Sequence, residues 1–431
     1  MRAVVVALGK IGLPLAAQLA RQGHEVIGCD IDERVVDLVN AGREPFPGEA
    51  ELADVLADVV PRGLLRATTD TAAAVATGPD LLIAVPPLVV DTEARPDWSI
   101  LDAVVADIAR GLTTGHDARD MGEPVMTLAV ETTLPVGTTR TRIAPALEAG
   151  SGLVSGSGFH LVFSPERVFS GRIFRDLATY PKLVGGLDPA GEARGVHLYE
   201  QFLPGVEVRS MGGAEAAELT KLVETTYRDV NIALANEFAR HADALGLDVQ
   251  RVIDAANSQP FSHVHRPGVA VGGHCIPVYP RFYLAGDPDA RLPAVSRAVN
   301  ESMPAYAVSL LADELPEGGR VLILGVAYRG GVKETAFSGA FGVRDELLAR
   351  GMHPVAADPL YDAAELEALG FEPWLPGTPV DAAVLQADHA EYAALGPDDL
   401  PGLRVLVDGR GTVDRAPFVA AGVAVRRIGR P

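Results

Sequence analysis

Cysteine is nearly absent from this chain: two residues, Cys29 and Cys275, among 431. Two thiols cannot make a disulfide framework, so a reducing cytoplasm is the expected setting. Basic residues are in deficit as well. Thirty-seven Lys and Arg against 57 Asp and Glu leave a formal charge of -20, which argues against nucleic acid or an anionic membrane as partner. It does not veto a phosphorylated substrate, because charges beyond a Debye length of ~8 Å are largely screened. No apolar run approaches the ~20 residues needed to span a bilayer. The start, Met1-Arg2-Ala3-Val4-Val5-Val6, lacks the layout of a signal peptide and continues straight into a turn motif. No short tandem repeat is present. What remains is globular: 48% hydrophobic and 22% charged residues, in a chain long enough for two or three domains.

The apolar pattern predicts strands over residues 2–8, 25–29, 80–85, 125–131 and 160–163, with a first helix over 12–22 that turns Leu13, Leu15, Ala16, Leu19 and Ala20 inward. Alternating strands and helices imply a parallel sheet with right-handed crossovers. From Gly213 to Leu245 apolar residues recur at helical spacing with no proline, predicting one helix of roughly 50 Å at 1.5 Å per residue. Such a helix could link domains and expose a face to a partner subunit. A loop rich in Pro, Gly and His follows over 257–280. After Pro316-Glu317-Gly318-Gly319 the rhythm restarts with strands over 320–324, 354–357, 382–385 and 404–407, a second α/β domain. The fold class expected is α/β: two Rossmann-like, doubly wound parallel sheets joined by a long central helix, divided as 1–205, 206–305 and 306–431.

Ala7-Leu8-Gly9-Lys10-Ile11-Gly12 follows a strand and opens a helix, the context a dinucleotide-binding turn requires. Gly9 lets the backbone approach a pyrophosphate, and Gly12 permits close packing of helix on strand. Alanine, not glycine, holds the first position. Asp30 ends the second strand and suits a ribose 2′-hydroxyl, which favours NAD over NADP. The bland reading is a glycine-bearing turn in an unrelated α/β fold. In Val271-Gly272-Gly273-His274-Cys275-Ile276-Pro277, the two glycines imply a backbone held close to something, read here as a ligand. A lone cysteine is more commonly buried and inert; beside a cofactor turn, Cys275 reads as a nucleophile instead. Lys221 is the cation proposed to help it. Glu166 follows a predicted strand end, where a carboxylate serves as general base or simply as a solvated loop residue. Lys221, Thr225 and Arg228 share a helix face that is also read as solvated. His263, His265, His274 and Cys275 raise zinc, but no spacing among them matches a standard ligand pattern, and no metal is expected.

Taken in order, these segments resemble the UDP-glucose / UDP-N-acetylmannosamine dehydrogenase family of nucleotide-sugar 6-dehydrogenases. The resemblance runs from the Ala7–Gly12 turn through Glu131-Thr132-Thr133-Leu134-Pro135-Val136-Gly137-Thr138, Ser164-Pro165-Glu166-Arg167-Val168, Ala217-Glu218-Leu219-Thr220-Lys221-Leu222 and Asn231-Ile232-Ala233-Leu234-Ala235-Asn236-Glu237. It continues with Pro267-Gly268 and Asp358-Pro359 to Asp408-Gly409-Arg410. Arg167-Val168 leans toward the N-acetylhexosamine branch. The resemblance implies a four-electron oxidation of a sugar C6 alcohol with two NAD, through a thiohemiacetal and a thioester on Cys275. Lys221 would stabilise oxyanions, Glu166 act as base, and Thr133 position water. Cofactor contacts would come from Gly9, Lys10, Ile11, Gly12, Asp30, Arg34, Val85, Pro86 and Thr133. A nucleotide-diphosphate sugar, a UDP-sugar first, would meet Glu166, Arg167, Val168, Lys221, Thr225, Arg228, Gly268, Gly272, Gly273, Arg329 and Arg410. The central helix would join a homodimer or a higher homo-oligomer.

Several positions depart from the family pattern. Tyr279 stands where it has an aspartate that manages proton and water, and Thr225 where it has an asparagine assisting Lys221. Phe261 replaces an arginine, and Pro86-Pro87 lacks a threonine after the first proline. A phenol of pKa near ~10 is a poor base at neutral pH. Two rivals therefore stand beside the main reading. One is an altered oxidoreductase that stops at the aldehyde or uses another nucleotide sugar. The other is a non-catalytic nucleotide-sugar binding protein.

Overall fold

The computed structural model describes the chain apart from residues 92, 118–125, 312–314, 316–317 and 431. The first residue of the strand expected at 125–131, and Pro316-Glu317 ahead of the second strand-helix series, lie outside the described residues. The chain divides into two compact units, Met1–Val223 and Glu224–Pro431.

The first unit is built on β1 (Arg2–Val6), β2 (Glu25–Cys29), β3 (Leu65–Thr68), β4 (Leu81–Ala84), β5 (Thr127–Val130), β6 (His160–Phe163), β7 (Lys182–Gly186) and β8 (Val208–Ser210). Their order across the sheet is β3-β2-β1-β4-β5-β6-β7-β8. The first six strands are parallel in the dinucleotide-fold order, reversing direction of growth between β1 and β4. β1 is four-fifths buried because Ala3-Val4-Val5-Val6 is apolar on both faces, as a strand covered by helices on each side must be. The pair β6–β7 is antiparallel, Val162 opposite Gly186. The link between them carries the five-residue helix Ile173–Leu177. A two-residue ribbon, Val89–Val90 with Pro96–Asp97, stands outside the sheet.

The second unit holds β9 (Arg320–Leu324), β10 (His353–Ala357), β11 (Ala382–Leu385), β12 (Val405–Asp408) and β13 (Ala424–Arg427). All pairs are parallel, ordered β10-β9-β11-β12-β13, the other common doubly wound arrangement. The long helix runs unbroken over Ala214–Leu245, 32 residues, as its proline-free sequence requires. Sequence patterning missed β3, β7, β8 and β13, whose short segments show little apolar periodicity. No helix among the described residues is long and apolar enough to cross a membrane.

Candidate active site

The carboxyl ends of β1, β2, β4 and β5 converge at the point where strand order reverses. The Ala7 N–H donates to the Cys29 carbonyl (2.8 Å), and the Leu8 N–H donates to Asp30 Oδ2 (2.9 Å). Ala7 takes φ +74°, a left-handed conformation that costs a non-glycine residue ~1–2 kcal/mol. A glycine is what this turn calls for, and alanine occupies it under strain. A Cβ on Gly12 would lie 1.9 Å from the Ala7 carbonyl oxygen, so helix Gly12–Arg21 can start here only with glycine. A Cβ on Gly9, by contrast, would meet no protein atom within 4 Å. That open side leaves room for a pyrophosphate against exposed Gly9 and Lys10, with Ile11 beside them. Arg34 is exposed in the first turn of helix Glu33–Asn40, where its N–H donates to the Asp32 carboxylate (2.8 Å). Val85 extends β4 by an N–H to the Val6 carbonyl (3.0 Å). Thr132 Oγ donates to the Pro86 carbonyl, and Thr133 is buried beside it in the chain. These residues can hold NAD.

Glu166 and Lys221 also come together in this unit. Lys221 Nζ donates to the Glu166 carbonyl oxygen at 2.5 Å. The Glu166 carboxylate accepts N–H bonds from Arg167 (2.6 Å) and Val168 (3.1 Å) on Oε1, and an N–H bond from Lys182 Nζ (3.1 Å) on Oε2. It is therefore not a solvated loop residue. Lys182 reaches on to Glu131 Oε2 at 2.8 Å, and the Tyr199 hydroxyl donates to Glu131 Oε1. Burial favours the neutral acid in both carboxyls, with different outcomes. Glu131 is pushed up to about 7 despite the Lys182 charge. Glu166 is brought below the usual carboxylate range, because Lys182 and the Arg167 N–H outweigh its burial. Burial opposes the Lys182 charge too, yet its two carboxylate neighbours hold its pKa above the ordinary lysine value. Glu218, from the long helix, fixes the 131–138 segment by accepting the Gly137 and Thr139 N–H groups (2.5 and 2.9 Å). Lys221 and Thr225 are buried, so their helix face is not merely solvated.

In the second unit Cys275 is exposed, at the end of the glycine pair. Protein atoms crowd the backbone at both glycines. A Cβ on Gly272 would lie 2.6 Å from the Tyr328 Cβ, and Gly273 has φ +86° with the Tyr328 ring 3.1 Å from its would-be Cβ. The Gly273 N–H donates to the Ala336 carbonyl (2.8 Å). The Cys275 carbonyl accepts the Tyr279 N–H (2.9 Å) at the start of helix Tyr279–Gly286. Arg410 is half-buried. Its guanidinium donates to the carbonyls of Gln386 (2.7 Å) and Tyr328 (3.4 Å), and a Cβ on Gly268 would sit 3.1 Å from it. Arg329 is exposed, with Nε donating to the Tyr328 hydroxyl (3.0 Å). Arg228 lies half-buried on the long helix, one turn past Thr225. Among the described residues no three His, Cys, Asp or Glu side chains converge as a metal site.

Models of the UDP-glucose/GDP-mannose dehydrogenase family match this chain twice: the NAD binding domain over residues 1–203 and the central domain over 215–301. The UDP-N-acetyl-D-mannosamine dehydrogenase of Pyrococcus horikoshii is 33% identical over 440 residues, spanning 100% of this chain and 99% of its own. This chain belongs to the UDP-glucose/GDP-mannose dehydrogenase family. It is an NAD-dependent nucleotide-sugar dehydrogenase. The dehydrogenase is 33% identical over 426 residues to the NDP-N-acetyl-D-galactosaminuronic acid dehydrogenase of Ralstonia nicotianae, covering 94% of this chain and 95% of that one. Its fold matches the solved UDP-D-ManNAc dehydrogenase of Pyrococcus horikoshii with a TM-score of 0.86 at 31% identity, over 100% and 99% of the two chains. Reading the sequence of this dehydrogenase overlooked Lys182, Glu131 and Tyr199 as a group. A lysine opening the otherwise apolar strand Lys182–Gly186 was the available signal, since an unpaired lysine is almost never fully buried. Tyr328 carried no comparable signal.

Proposed function

We propose that this dehydrogenase oxidises the C6 alcohol of a UDP-N-acetylhexosamine, with the N-acetylmannosamine sugar as first choice, to the carboxylate, using Cys275 as covalent carrier. The observation that carries the reading is the contrast between the two thiols. Cys29 is buried in β2, where burial pushes its thiol up to about 12. Cys275 is exposed on a loop pinned by Tyr328. Two of its relatives, a UDP-N-acetyl-D-mannosamine and an NDP-N-acetyl-D-galactosaminuronic acid dehydrogenase, favour an N-acetylhexosamine.

NAD, when bound, accepts hydride, once for each of the two oxidations, and in the first the proton of the C6 hydroxyl leaves to water. The Cys275 sulfur, as thiolate, adds to the C6 aldehyde carbon, and Lys221 stabilises the oxyanion that forms. After a second hydride leaves C6, a thioester remains. Water gives a proton to Glu166 and adds to the thioester carbon. The C–S bond then breaks and returns the thiolate. Arg329 and Arg410 suit the diphosphate through their planar forks, Arg167, Val168, Thr225, Arg228 and Gly268 line the sugar nucleotide, and Thr133 positions water. Cys275→Ala is expected to abolish uronate formation while NAD still binds; unchanged uronate production would remove the covalent mechanism. Two NADH per sugar, counted across UDP-, GDP- and dTDP-sugars, supports full oxidation. One NADH favours the rival that stops at the aldehyde, which Tyr279 motivates, and ligand binding with no NADH favours a non-catalytic protein. The domain division 1–205, 206–305 and 306–431 is part of the same proposal, as is a cytoplasmic location.

The long helix supports a second copy of this chain as partner. Val223, Tyr227, Leu234, Phe238 and Leu245 are exposed along it at steps of four and seven residues. That apolar spacing suits packing against another long helix. Leu234→Glu is expected to convert a dimer to a monomer in sedimentation velocity; an unchanged sedimentation coefficient would rule out this face.

A further inference from the structure

The buried group behind Glu166 has no part in the chemistry above. We propose that Glu131 is the proton acceptor behind Glu166, reached through Lys182, and that Lys182 is the residue that positions both carboxylates. The inference rests on Glu166 acting as base in thioester hydrolysis.

The geometry is a chain of direct contacts: Glu166 Oε2 to Lys182 Nζ at 3.1 Å, and Lys182 Nζ to Glu131 Oε2 at 2.8 Å. Each member comes from a different element. Glu131 follows β5, Glu166 lies three residues past β6, Lys182 opens β7, and Tyr199 stands on helix Pro189–Phe202. Four separate elements place their polar ends at one buried point, where an unmatched charge is severely penalised. The Lys182 ammonium also lies over the Tyr199 ring, 5.2 Å from its centroid. A cavity of about 10 Å³, the size of one water, lies against Glu166 and Lys182 and is walled by Pro165, Tyr180, Pro181 and Leu203.

Two carboxylates share one ammonium, so the group has an affinity for one further proton. During hydrolysis Glu166 takes a proton from the attacking water. Lys182 passes one of its own protons to Glu131 and accepts that proton from Glu166. No bond to carbon changes, Lys182 ends as it began, Glu131 becomes the neutral acid, and Glu166 is again a carboxylate. The burial that raises Glu131 toward neutrality, against a depressed Glu166, sets the direction of this transfer. Such a route supplies what Tyr279 cannot, since a phenol is a poor base at neutral pH. The titratable groups facing Glu131 are Lys182, Glu166 and Tyr199, and Lys221 faces Glu166.

The test uses the full-length enzyme. Glu131→Gln keeps the size of the side chain and removes the proton acceptor. Steady-state NADH release is expected to fall at least ~10-fold, toward the ~10²–10⁴ range typical of lost proton transfer, and to lose its rise with pH through neutrality. Tyr199→Phe removes a bond that favours ionised Glu131, so the same rise is expected to move to higher pH. A merely structural role would move neither profile. The infrared carboxyl band offers a readout independent of turnover: one band titrating in the neutral range, absent in Glu131→Gln and shifted in Tyr199→Phe. If wild-type enzyme yields two NADH per sugar and Glu131→Gln keeps its rate and pH profile, the relay is overturned and the function reading stands. If wild type yields one NADH, hydrolysis falls and the band alone judges Glu131: a neutral-range titration supports its role as proton store, and its absence overturns it.

Discussion

The two units build the same first turn and put it to opposite uses. In the first, Ala7 at φ +74° donates to the end of β2, and the next N–H, of Leu8, donates to the Asp30 carboxylate. In the second, Gly325 at φ +92° donates to the Ala357 carbonyl (2.8 Å), and the Val326 and Ala327 N–H groups donate to Asp358 Oδ2 (2.8 and 3.0 Å). The first turn reaches its helix at Gly12. The second wanders until Ser338 caps helix Gly339–Ala349. That longer path closes over Asp358, which also takes the Leu360 N–H (2.9 Å) and His389 Nε2–H (3.1 Å) and is buried. His389 Nδ1 accepts the Gly331 N–H, which fixes the tautomer that donates to Asp358. Asp30 remains half-buried at an open turn. The protein itself consumes Asp358, whereas the open turn leaves Asp30 an acid of the kind that suits a ribose hydroxyl.

The contrast can be broken at four residues. Gly12→Ala has the largest expected effect: with its Cβ 1.9 Å from a carbonyl oxygen, the turn must open at a cost of roughly 3 kcal/mol. NAD titration of that variant should fail to saturate, and a normal isotherm would mean the turn does not hold the cofactor. Next come the two acids, exchanged in role. Asp358→Asn should lower stability by about 2–3 kcal/mol, as losing charged hydrogen bonds does, while leaving NAD affinity unchanged. Asp30→Asn should weaken NAD about 10-fold, with a smaller change in Tm. Equal effects of the two variants on NAD would erase the distinction. Burial raises Asp358, but His389 and the Ala327 and Leu360 N–H groups hold it below the usual carboxylate range. Its contribution is therefore present above about pH 4 and lost as pH falls through the lower folded value. Acid unfolding of Asp358→Asn should lack that increment. The smallest effect is a gain: Ala7→Gly relieves about 1 kcal/mol of backbone strain and should raise Tm by a few degrees. No gain would mean the alanine is unstrained.

The sequence was informative wherever one residue type has one physical use. Gly12 in a strand-turn-helix context, and a proline-free helix up to Leu245, are of that kind. Cys275 and Glu166 were visible as candidates, yet their surroundings were not. What holds Cys275's loop is Tyr328, and what holds Glu166 is Lys182, 16 residues on in an antiparallel neighbour. Contacts across a sheet or between a loop and a distant strand end leave no periodicity. The glycine pair shows the limit well: close approach was readable, but whether the approaching body was ligand or phenol ring was not.

Tyr328 does two things at once: its ring packs on the backbone that carries Cys275, and its carbonyl accepts from Arg410. On the proposed chemistry the sugar stays bonded to sulfur while spent NADH is exchanged for fresh NAD. A thiohemiacetal on Cys275 and a diphosphate gripped by Arg410 would then be tethered through a single shared residue. The half-oxidised sugar keeps its alignment during the exchange because both of its handles are fastened to the same post.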